Sequence, residues 1–169
     1  MSAKTLEKKN KIPECIILLN DIRSITNVGA IFRTADAVGI KQIILSGITP
    51  TPTDRFGRKR DDFTKSALGA EEIVSWKYQE KPISIINSYK KQGYKIICLE
   101  QDSRSIDYKQ LKVRGSDKIL LIPGNEIDGV PKKKIKKADY ILEIPMNGIK
   151  ESLNISVATG IILYRLLDQ

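Results

Sequence analysis

The residues best suited to chemistry begin in the segment Asn27-Val-Gly-Ala-Ile-Phe-Arg33-Thr34. Apolar residues recur there with helical spacing, which predicts a helix over residues 28–38 that ends at Gly39. Asn27 then stands where an N-cap belongs, and Arg33 presents a rigid guanidinium whose five donors suit phosphate. An ordinary solvated arginine on a capped helix would give the same pattern, so this segment alone does not decide between the two.

A second candidate follows the apolar strand predicted over residues 118–122. Gly124 and Gly129 bracket a tight loop there, with Glu126 inside it. In open α/β sheets, ligands bind at the carboxyl ends of strands, where such loops lie. A plain strand-to-helix connection contains the same residue types, so the loop is informative only together with other segments.

The third candidate is the C-terminal stretch. A strand predicted over residues 140–144 leads into a helix that is apolar on almost every side from Leu153 to Leu167. Ser152 stands at the predicted N-cap. Asn154 and Ser156 interrupt the apolar run in the first turn, and polar groups at the start of a buried helix need partners. Either the protein or a ligand must supply those partners.

Strands and helices alternate along the whole chain. Strands are predicted over residues 15–19, 42–45, 73–76, 94–99, 118–122 and 140–144, and helices over residues 28–38, 64–68, 82–92, 132–137 and 153–167. This alternation indicates an α/β fold with a mostly parallel sheet covered by helices on both faces. We expect one domain over residues 14–169, preceded by a basic flexible tail over residues 1–13.

Composition favours a polyanionic partner. The net charge is +9, which points to nucleic acid first and an acidic membrane surface second. The chain has no histidine, which excludes histidine acid/base catalysis and most zinc sites, and no acidic cluster suggests a metal.

Cys15 and Cys98 fall in apolar strands and are expected to be buried thiols. With no secretory signal or membrane-spanning run, the expected location is the cytoplasm and no membrane contact is expected.

A long polar loop over residues 46–62 carries a dense basic cluster. Loops of this length in a small domain are usually functional or disordered. Clustered cations add salt-sensitive affinity for nucleic acid phosphates, although a solvated surface would look the same. The residues expected to contact a nucleic acid are Arg23, Arg33, Arg55, Arg58, Lys59 and Arg60.

Together, the three segments resemble the signature motifs of the SPOUT superfamily, SpoU/TrmH type. The motif N-x-G-A-I-x-R-T/S matches residues 27–34, G-x-E-x-x-G matches residues 124–129, and I-P-M-x-G-x-x-x-S-L-N-x-S-V-A matches residues 144–158, with Ile155 where valine is usual. The resemblance implies an RNA ribose 2′-O-methyltransferase that uses S-adenosylmethionine. The expected substrate is tRNA, with rRNA as the second choice. It also implies a C-terminal trefoil knot.

The resemblance assigns roles to individual residues. Catalytic positions are Asn27, Arg33, Glu126, Ser152 and Asn154, with Arg33 acting on the hydroxyl or clamping phosphate. Backbone groups of three loops would hold the cofactor, at Leu99, Glu100, Ile122, Pro123, Gly124, Asn125, Ile144, Met146, Ser152 and Leu153. A homodimer with active sites at the subunit interface is expected. The alternative, from a different class, is an RNA-binding module without catalysis.

Overall fold

The computed structural model describes residues 12–167. The strands are β1 (Glu14–Asn20), β2 (Gln42–Ser46), β3 (Ser75–Tyr78), β4 (Lys95–Leu99), β5 (Ile106–Asp107), β6 (Lys118–Pro123) and β7 (Tyr140–Glu143). The helices are α1 (Ile25–Ala37), α2 (Asp61–Ala67), α3 (Ala70–Ile73), α4 (Pro82–Lys91), α5 (Lys132–Ile135) and α6 (Ile155–Leu167). Among these described residues no helix is long and apolar enough to cross a membrane.

One parallel sheet organises the described residues. Its strand order is β3-β2-β1-β6-β4-β7-β5, and every neighbouring pair runs parallel. The central strands are buried along nearly their whole length because helices cover both faces, as in other parallel sheets. The prediction of an α/β fold with a mostly parallel sheet is therefore confirmed.

The two faces of the sheet carry separate apolar cores. Alternate residues of a strand point to opposite faces, so Ile17 and Leu19 join the core with α1 and α6, while Ile16 and Leu18 join the core with α4. On the first face, Phe32 of α1 meets Phe63 of α2 edge-to-face, with ring centroids 5.2 Å apart. α1 also packs beside α6 on this face.

Distant strands become neighbours at the centre of the sheet. β6 lies between β1 and β4, pairing Cys15 with Ile119 on one side and Ile97 with Leu121 on the other. β7 then lies beside β4. The carboxyl ends of β6, β4 and β7 consequently form one continuous edge, from which three loops emerge.

The structure differs from the sequence prediction at residues 70–74 and at residues 106–107. Residues 70–73 form α3 and β3 begins at Ser75, because Leu68 and Gly69 both take left-handed conformations that end α2 and start a new turn. The two-residue strand β5 was missed, since its length gives no periodic signal. The expected basic tail lies mostly in residues 1–11, outside the described residues.

Candidate functional site

A cavity of about 390 Å³ lies where the loops after β4, β6 and β7 meet. Backbone hydrogen bonds hold these loops together: Gly124 donates to the Leu99 carbonyl at 3.0 Å, and Glu100 donates to the Leu142 carbonyl at 2.9 Å. The expected cofactor positions that line the cavity are Leu99, Glu100, Pro123, Gly124, Asn125, Ile144, Met146, Ser152 and Leu153. Two expected catalytic residues, Glu126 and Asn154, lie on the same wall.

Ile122 does not line this cavity. Its side chain is 1% exposed and packs in the core on the face of the sheet that α4 covers. The alternation of side chains along β6 accounts for this placement, because Ile122 shares a face with Leu120. The contact expected at Ile122 is one of backbone groups, so the buried side chain does not contradict it and it stays a prediction.

The Glu100 carboxylate supports the loop after β6. It accepts hydrogen bonds from the N–H groups of Val130, at 2.6 Å, and Gln101, at 2.9 Å. A Cβ atom at Gly124 or Gly129 would collide with this carboxylate, and Gly129 has a φ of +61° besides. Both glycines are therefore required by the way the loop wraps around Glu100, whose oxygens are occupied by the protein itself.

Side-chain hydrogen bonds join all three motifs at the rim of the cavity. The amide nitrogen of Asn27 donates to Glu126 at 3.0 Å, and the amide nitrogen of Asn154 donates to the Asn27 oxygen at 3.1 Å. These partners are 99 and 127 residues apart in sequence. Since Asn27 uses both ends of its amide, its orientation is fixed by its neighbours. We call this set of three residues the asparagine–glutamate network.

Glu126 is held as an anion at the start of α1. Its carboxylate accepts from the N–H groups of Arg23, at 3.3 Å, and Ser24, at 3.4 Å, where the helix dipole favours negative charge. Partial burial opposes ionisation, but the hydrogen bonds from Asn27 and from these N–H groups outweigh it, so the pKa of Glu126 lies below its ordinary value of 4.5. The carboxylate is thus committed to positioning α1 and Asn27.

Both helix starts differ from the prediction. Ser24 caps α1, with its hydroxyl oxygen accepting from the Asn27 N–H at 3.2 Å, so Asn27 lies in the first turn of the helix. Asn154 caps α6, with its oxygen accepting from the Ser156 N–H at 2.9 Å. Ser152 is exposed on the cavity wall and has no hydrogen-bond partner within residues 12–167. The predictions of Asn27 and Ser152 as caps were therefore wrong.

Arg33 lies outside the cavity of its own chain. It is exposed on α1, and its guanidinium has no ion-pair or hydrogen-bond partner in the part of the chain that the structure describes. A shallow, largely apolar trough runs beside it between α1 and α6, lined by Ala30, Thr34, Ser156, Val157, Gly160, Ile161 and Tyr164. We call it the α1–α6 trough. The protein therefore holds Arg33 next to an uncovered apolar face.

Four of the six expected nucleic-acid contacts lie in a short hairpin over residues 52–60, which we call the basic hairpin. Three of its cations pair with carboxylates: Arg58 with Asp54 at 2.7 Å, Lys59 with Glu72 at 2.8 Å, and Arg60 with Asp62 at 3.3 Å. Arg55 has no such partner within residues 12–167, and Arg23 is exposed beside Glu126. The hairpin is thus less positive than its sequence suggests.

Sequence reasoning missed two polar residues on the cavity wall, Gln101 and Glu143. The Gln101 amide donates to the Glu151 carbonyl at 2.7 Å, which ties the loop after β4 to the loop before α6. Glu143 accepts from the Ser105 hydroxyl at 2.7 Å. Both lie at the carboxyl ends of neighbouring strands, and that position was the only signal that could have identified them.

The two cysteines belong to the core. Burial raises the pKa of each thiol to about 12, so neither is a thiolate at neutral pH. Within residues 12–167, no three histidine, cysteine, aspartate or glutamate residues are grouped so that they could hold a metal ion.

Comparisons with known proteins agree with this geometry. The SpoU rRNA Methylase family matches residues 14–164. The chain is 29% identical over 166 residues to a tRNA (guanosine(18)-2′-O)-methyltransferase of Aquifex aeolicus, covering 98% of this chain and 74% of that protein. It is 28% identical over 165 residues to the 23S rRNA (guanosine-2′-O-)-methyltransferase RlmB of Coxiella burnetii, covering 98% of this chain and 62% of that protein.

Solved structures show the same fold. An AdoMet-bound rRNA methyltransferase from Sinorhizobium meliloti superimposes with a TM-score of 0.82 at 27% identity, covering 93% of this chain and 57% of that chain. The A. aeolicus TrmH/SpoU tRNA modifying enzyme superimposes with a TM-score of 0.77 at 26% identity, covering 93% and 76%. The family match over 14–164, which contains all three motifs, confirms the resemblance: the chain belongs to the SpoU rRNA Methylase family.

Proposed function

We propose that the protein methylates the ribose 2′-hydroxyl of an RNA, with S-adenosylmethionine as the methyl donor. Of the two candidate substrates, tRNA is the first choice and rRNA the second. The observation that carries this proposal is the asparagine–glutamate network, which joins all three motifs at the rim of one cavity. The activities in the names of the Aquifex and Coxiella relatives support both substrate classes.

The residues around the cavity fit S-adenosylmethionine. A volume of about 390 Å³ lies within the range of small-molecule sites, which is roughly 300–1,000 Å³. The apolar side chains of Leu99, Ile144 and Leu153 suit a flat purine, and Gln101 and Glu143 place polar groups on the same wall. The bound cofactor supplies an electrophilic methyl group carried on a positively charged sulfur.

The chain's own residues position the hydroxyl that accepts the methyl group. The asparagine–glutamate network holds Asn27 and Asn154 in fixed orientations at the cavity rim, and such alignment in a closed site can supply much of the rate. A free guanidinium keeps its proton. We therefore assign Arg33 to clamping the RNA phosphate and orienting the 2′-hydroxyl, whose proton passes to that phosphate.

A homodimer would bring Arg33 to a second copy's cavity. The exposed face of α6 is apolar, since Val157 and Tyr164 are 51% and 53% exposed. A Cβ atom at Gly160 would lie 3.6 Å from Thr34, an ordinary contact, so nothing within one protomer requires glycine there. A second helix approaching closely would account for it. We propose that two copies pair along the α1–α6 trough, with Arg33 of each completing the other's site.

Three further expectations belong to the same proposal. The family suggests that the segment around β7 and α6 is threaded as a trefoil knot, and the insertion of β6 between β1 and β4 supports a non-sequential path. Residues 14–169 would form one methyltransferase domain after a basic tail. We also propose a cytoplasmic location, which the tRNA and rRNA methyltransferase activities named for the relatives support.

Calorimetry with S-adenosylmethionine, followed by methyl transfer to total RNA, tests the proposal and separates it from the silent RNA-binding module. We expect binding of the cofactor and of its demethylated product, without a requirement for magnesium, and transfer of methyl groups to RNA. RNA binding with neither cofactor binding nor transfer would show that the protein is only an RNA-binding module.

A further inference from the structure

The tip of the basic hairpin presents an aromatic ring to solvent. Phe56 is 67% exposed, and two guanidinium groups lie over its ring: Arg55 at 4.7 Å and Arg58 at 5.1 Å from the centroid. A single exposed phenylalanine is common on protein surfaces and needs no explanation. The two arginines make this one unusual, because they combine a flat apolar surface with positive charge at one point.

The tip is ordered by Asp54. One carboxylate oxygen accepts from the N–H groups of Phe56, at 2.8 Å, and Arg58, at 3.0 Å, while the other pairs with the Arg58 guanidinium. The Gly57 N–H donates to the Asp54 carbonyl, and Gly57 takes a φ of +77° that completes the turn. The backbone that carries the exposed ring is therefore held in place before any ligand arrives, which lowers the entropy cost of binding.

The charges around the ring decide which partner fits. A phosphate-binding surface would leave its cations free, yet Arg58, Lys59 and Arg60 each face a carboxylate, and only Arg55 has none within residues 12–167. A nucleotide with an unpaired base fits these side chains. Aromatic rings and guanidinium planes both stack on bases, and an adjacent cation can bind the phosphate.

We propose that the basic hairpin is a stacking platform for an unpaired nucleobase, with Phe56 contacting the base and Arg55 holding the neighbouring phosphate. Bases inside a duplex are stacked on one another and cannot reach such a ring, so the platform selects RNA with single-stranded segments. The inference rests on the proposed function, because it names the form of RNA that the enzyme takes. The hairpin follows β2, whose carboxyl end lies on the same edge of the sheet as the cavity.

Binding of two RNA probes by the full-length protein tests the proposal. One probe is a single-stranded oligonucleotide of about eight nucleotides, within the range of known single-strand sites, and the other is a blunt duplex of the same sequence. We expect Phe56→Leu to weaken binding of the single strand about tenfold and to leave the duplex unchanged, because leucine keeps the apolar character but has no π face. Phe56→Trp should bind the single strand at least as well as the native protein.

Salt dependence separates the two side chains. Phe56→Leu should leave the slope of log affinity against log salt unchanged, whereas Arg55→Gln should reduce it by about one. Thermal melts of all variants should match the native protein, because both side chains are exposed at the hairpin tip. An equal loss for both probes with Phe56→Leu would overturn the proposal. So would unchanged RNA binding combined with a loss of dimer in light scattering, since the tip would then be a protein interface.

Methyl transfer distinguishes failure of this inference from failure of the proposed function. If the native protein transfers methyl groups to RNA and Phe56→Leu binds the single-stranded probe normally, the platform is wrong and the enzyme assignment stands. If the native protein transfers no methyl group, yet Phe56→Leu loses affinity for the single strand alone, the platform stands and the enzyme assignment fails.

Discussion

Asn27 illustrates how one side chain can have two roles that sequence alone does not separate. Asparagine favours helix N-caps, and the apolar spacing begins directly after it, so the cap prediction was reasonable. The helix instead begins at Ile25, three residues earlier than predicted, with Ser24 as its cap, and this leaves the Asn27 amide free to bridge Glu126 and Asn154. The motif residue was predicted, but its contacts depend on segments about 100 residues away.

The reassigned cap of α6 can be tested with a matched pair of variants. Asn154→Ala removes the hydrogen bond to the Ser156 N–H and should cost about 1 kcal/mol, which lowers Tm by roughly 3 °C in a chain of this size. It should also reduce methyl transfer, since Asn27 loses a partner. Ser152→Ala should leave Tm unchanged. A larger loss of Tm in Ser152→Ala, measured by calorimetry, would restore Ser152 as the cap.

The lowered pKa of Glu126 predicts that the stability of the protein depends on pH. Its pKa is depressed in the folded protein, so its contribution is complete above about pH 4.5 and is lost as the pH falls through the folded pKa. Glu126→Gln should lower the free energy of unfolding by about 1 kcal/mol at neutral pH, the lower end for hydrogen bonds to a charge because the residue is largely exposed. That deficit should shrink as the pH falls further below 4.5.

Urea unfolding at several pH values measures both effects. The exposed Glu151 provides a control, and Glu151→Gln should match the native protein at every pH. A Glu126→Gln deficit that persists unchanged in acid would show that the carboxylate is not ionised in its hydrogen-bonded state.

Arg33 should be needed for chemistry and dispensable for folding. Arg33→Ala removes an exposed side chain with no partner in residues 12–167, so Tm should change little, while methyl transfer at saturating RNA should fall at least a hundredfold. Arg114→Ala, another exposed arginine, is the matched control and should keep full activity. Near-native turnover by Arg33→Ala would remove Arg33 from the site.

At the scale of elements, long apolar strands were predicted well and short or exposed segments were not. β1, β2, β4, β6 and β7 carry runs of buried residues that sequence alone reveals. Ile73, the last residue of α3, was predicted to begin a strand over residues 73–76, because Ile73 and Val74 are residue types typical of strands. Ile73 is in fact 70% exposed, and the preceding left-handed Gly69 imposes a helical turn. At Ile73 the backbone conformation imposed by Gly69 therefore outweighs the preference of isoleucine for strands.

α6 carries the prediction about assembly. Its sequence is apolar almost all round, and the protomer covers only part of it, which leaves the α1–α6 trough open. Gly160→Ala should be tolerated within one protomer, whereas Gly160→Glu places a charge in the proposed interface. Light scattering should find a dimer for the native protein, and inactive monomer or unfolded protein for Gly160→Glu. A stable, active native monomer at micromolar concentration would contradict the shared site.

At the scale of the whole molecule, the sheet order could not be predicted from local pattern. The alternation of strands and helices predicts a parallel sheet, but it does not predict that β6 lies between β1 and β4. The residues that pair between β1 and β6 are more than 100 positions apart in the sequence. This order brings the ends of β4, β6 and β7 together, and the cavity exists only because of it. The motif resemblance anticipated the location of most cavity residues, whereas Gln101 and Glu143 required the fold.

The net charge of +9 also acts at this scale. Two copies would combine it into one broad basic surface, which raises the rate of encounter with RNA in a salt-dependent manner. The basic hairpin adds less to that charge than its sequence suggests, because three of its cations are paired.

Nucleoside mass spectrometry is the most direct test of the central claim. Purified native protein would be incubated with S-adenosylmethionine carrying an isotopically labelled methyl group and, separately, with total tRNA and total rRNA from a strain lacking the gene. We expect the label on the ribose 2′-oxygen of a single kind of nucleoside, with tRNA as the more strongly expected substrate. The Arg33→Ala protein should transfer no label. Label found only on nucleobases, or on no RNA while the cofactor binds, would contradict the assignment.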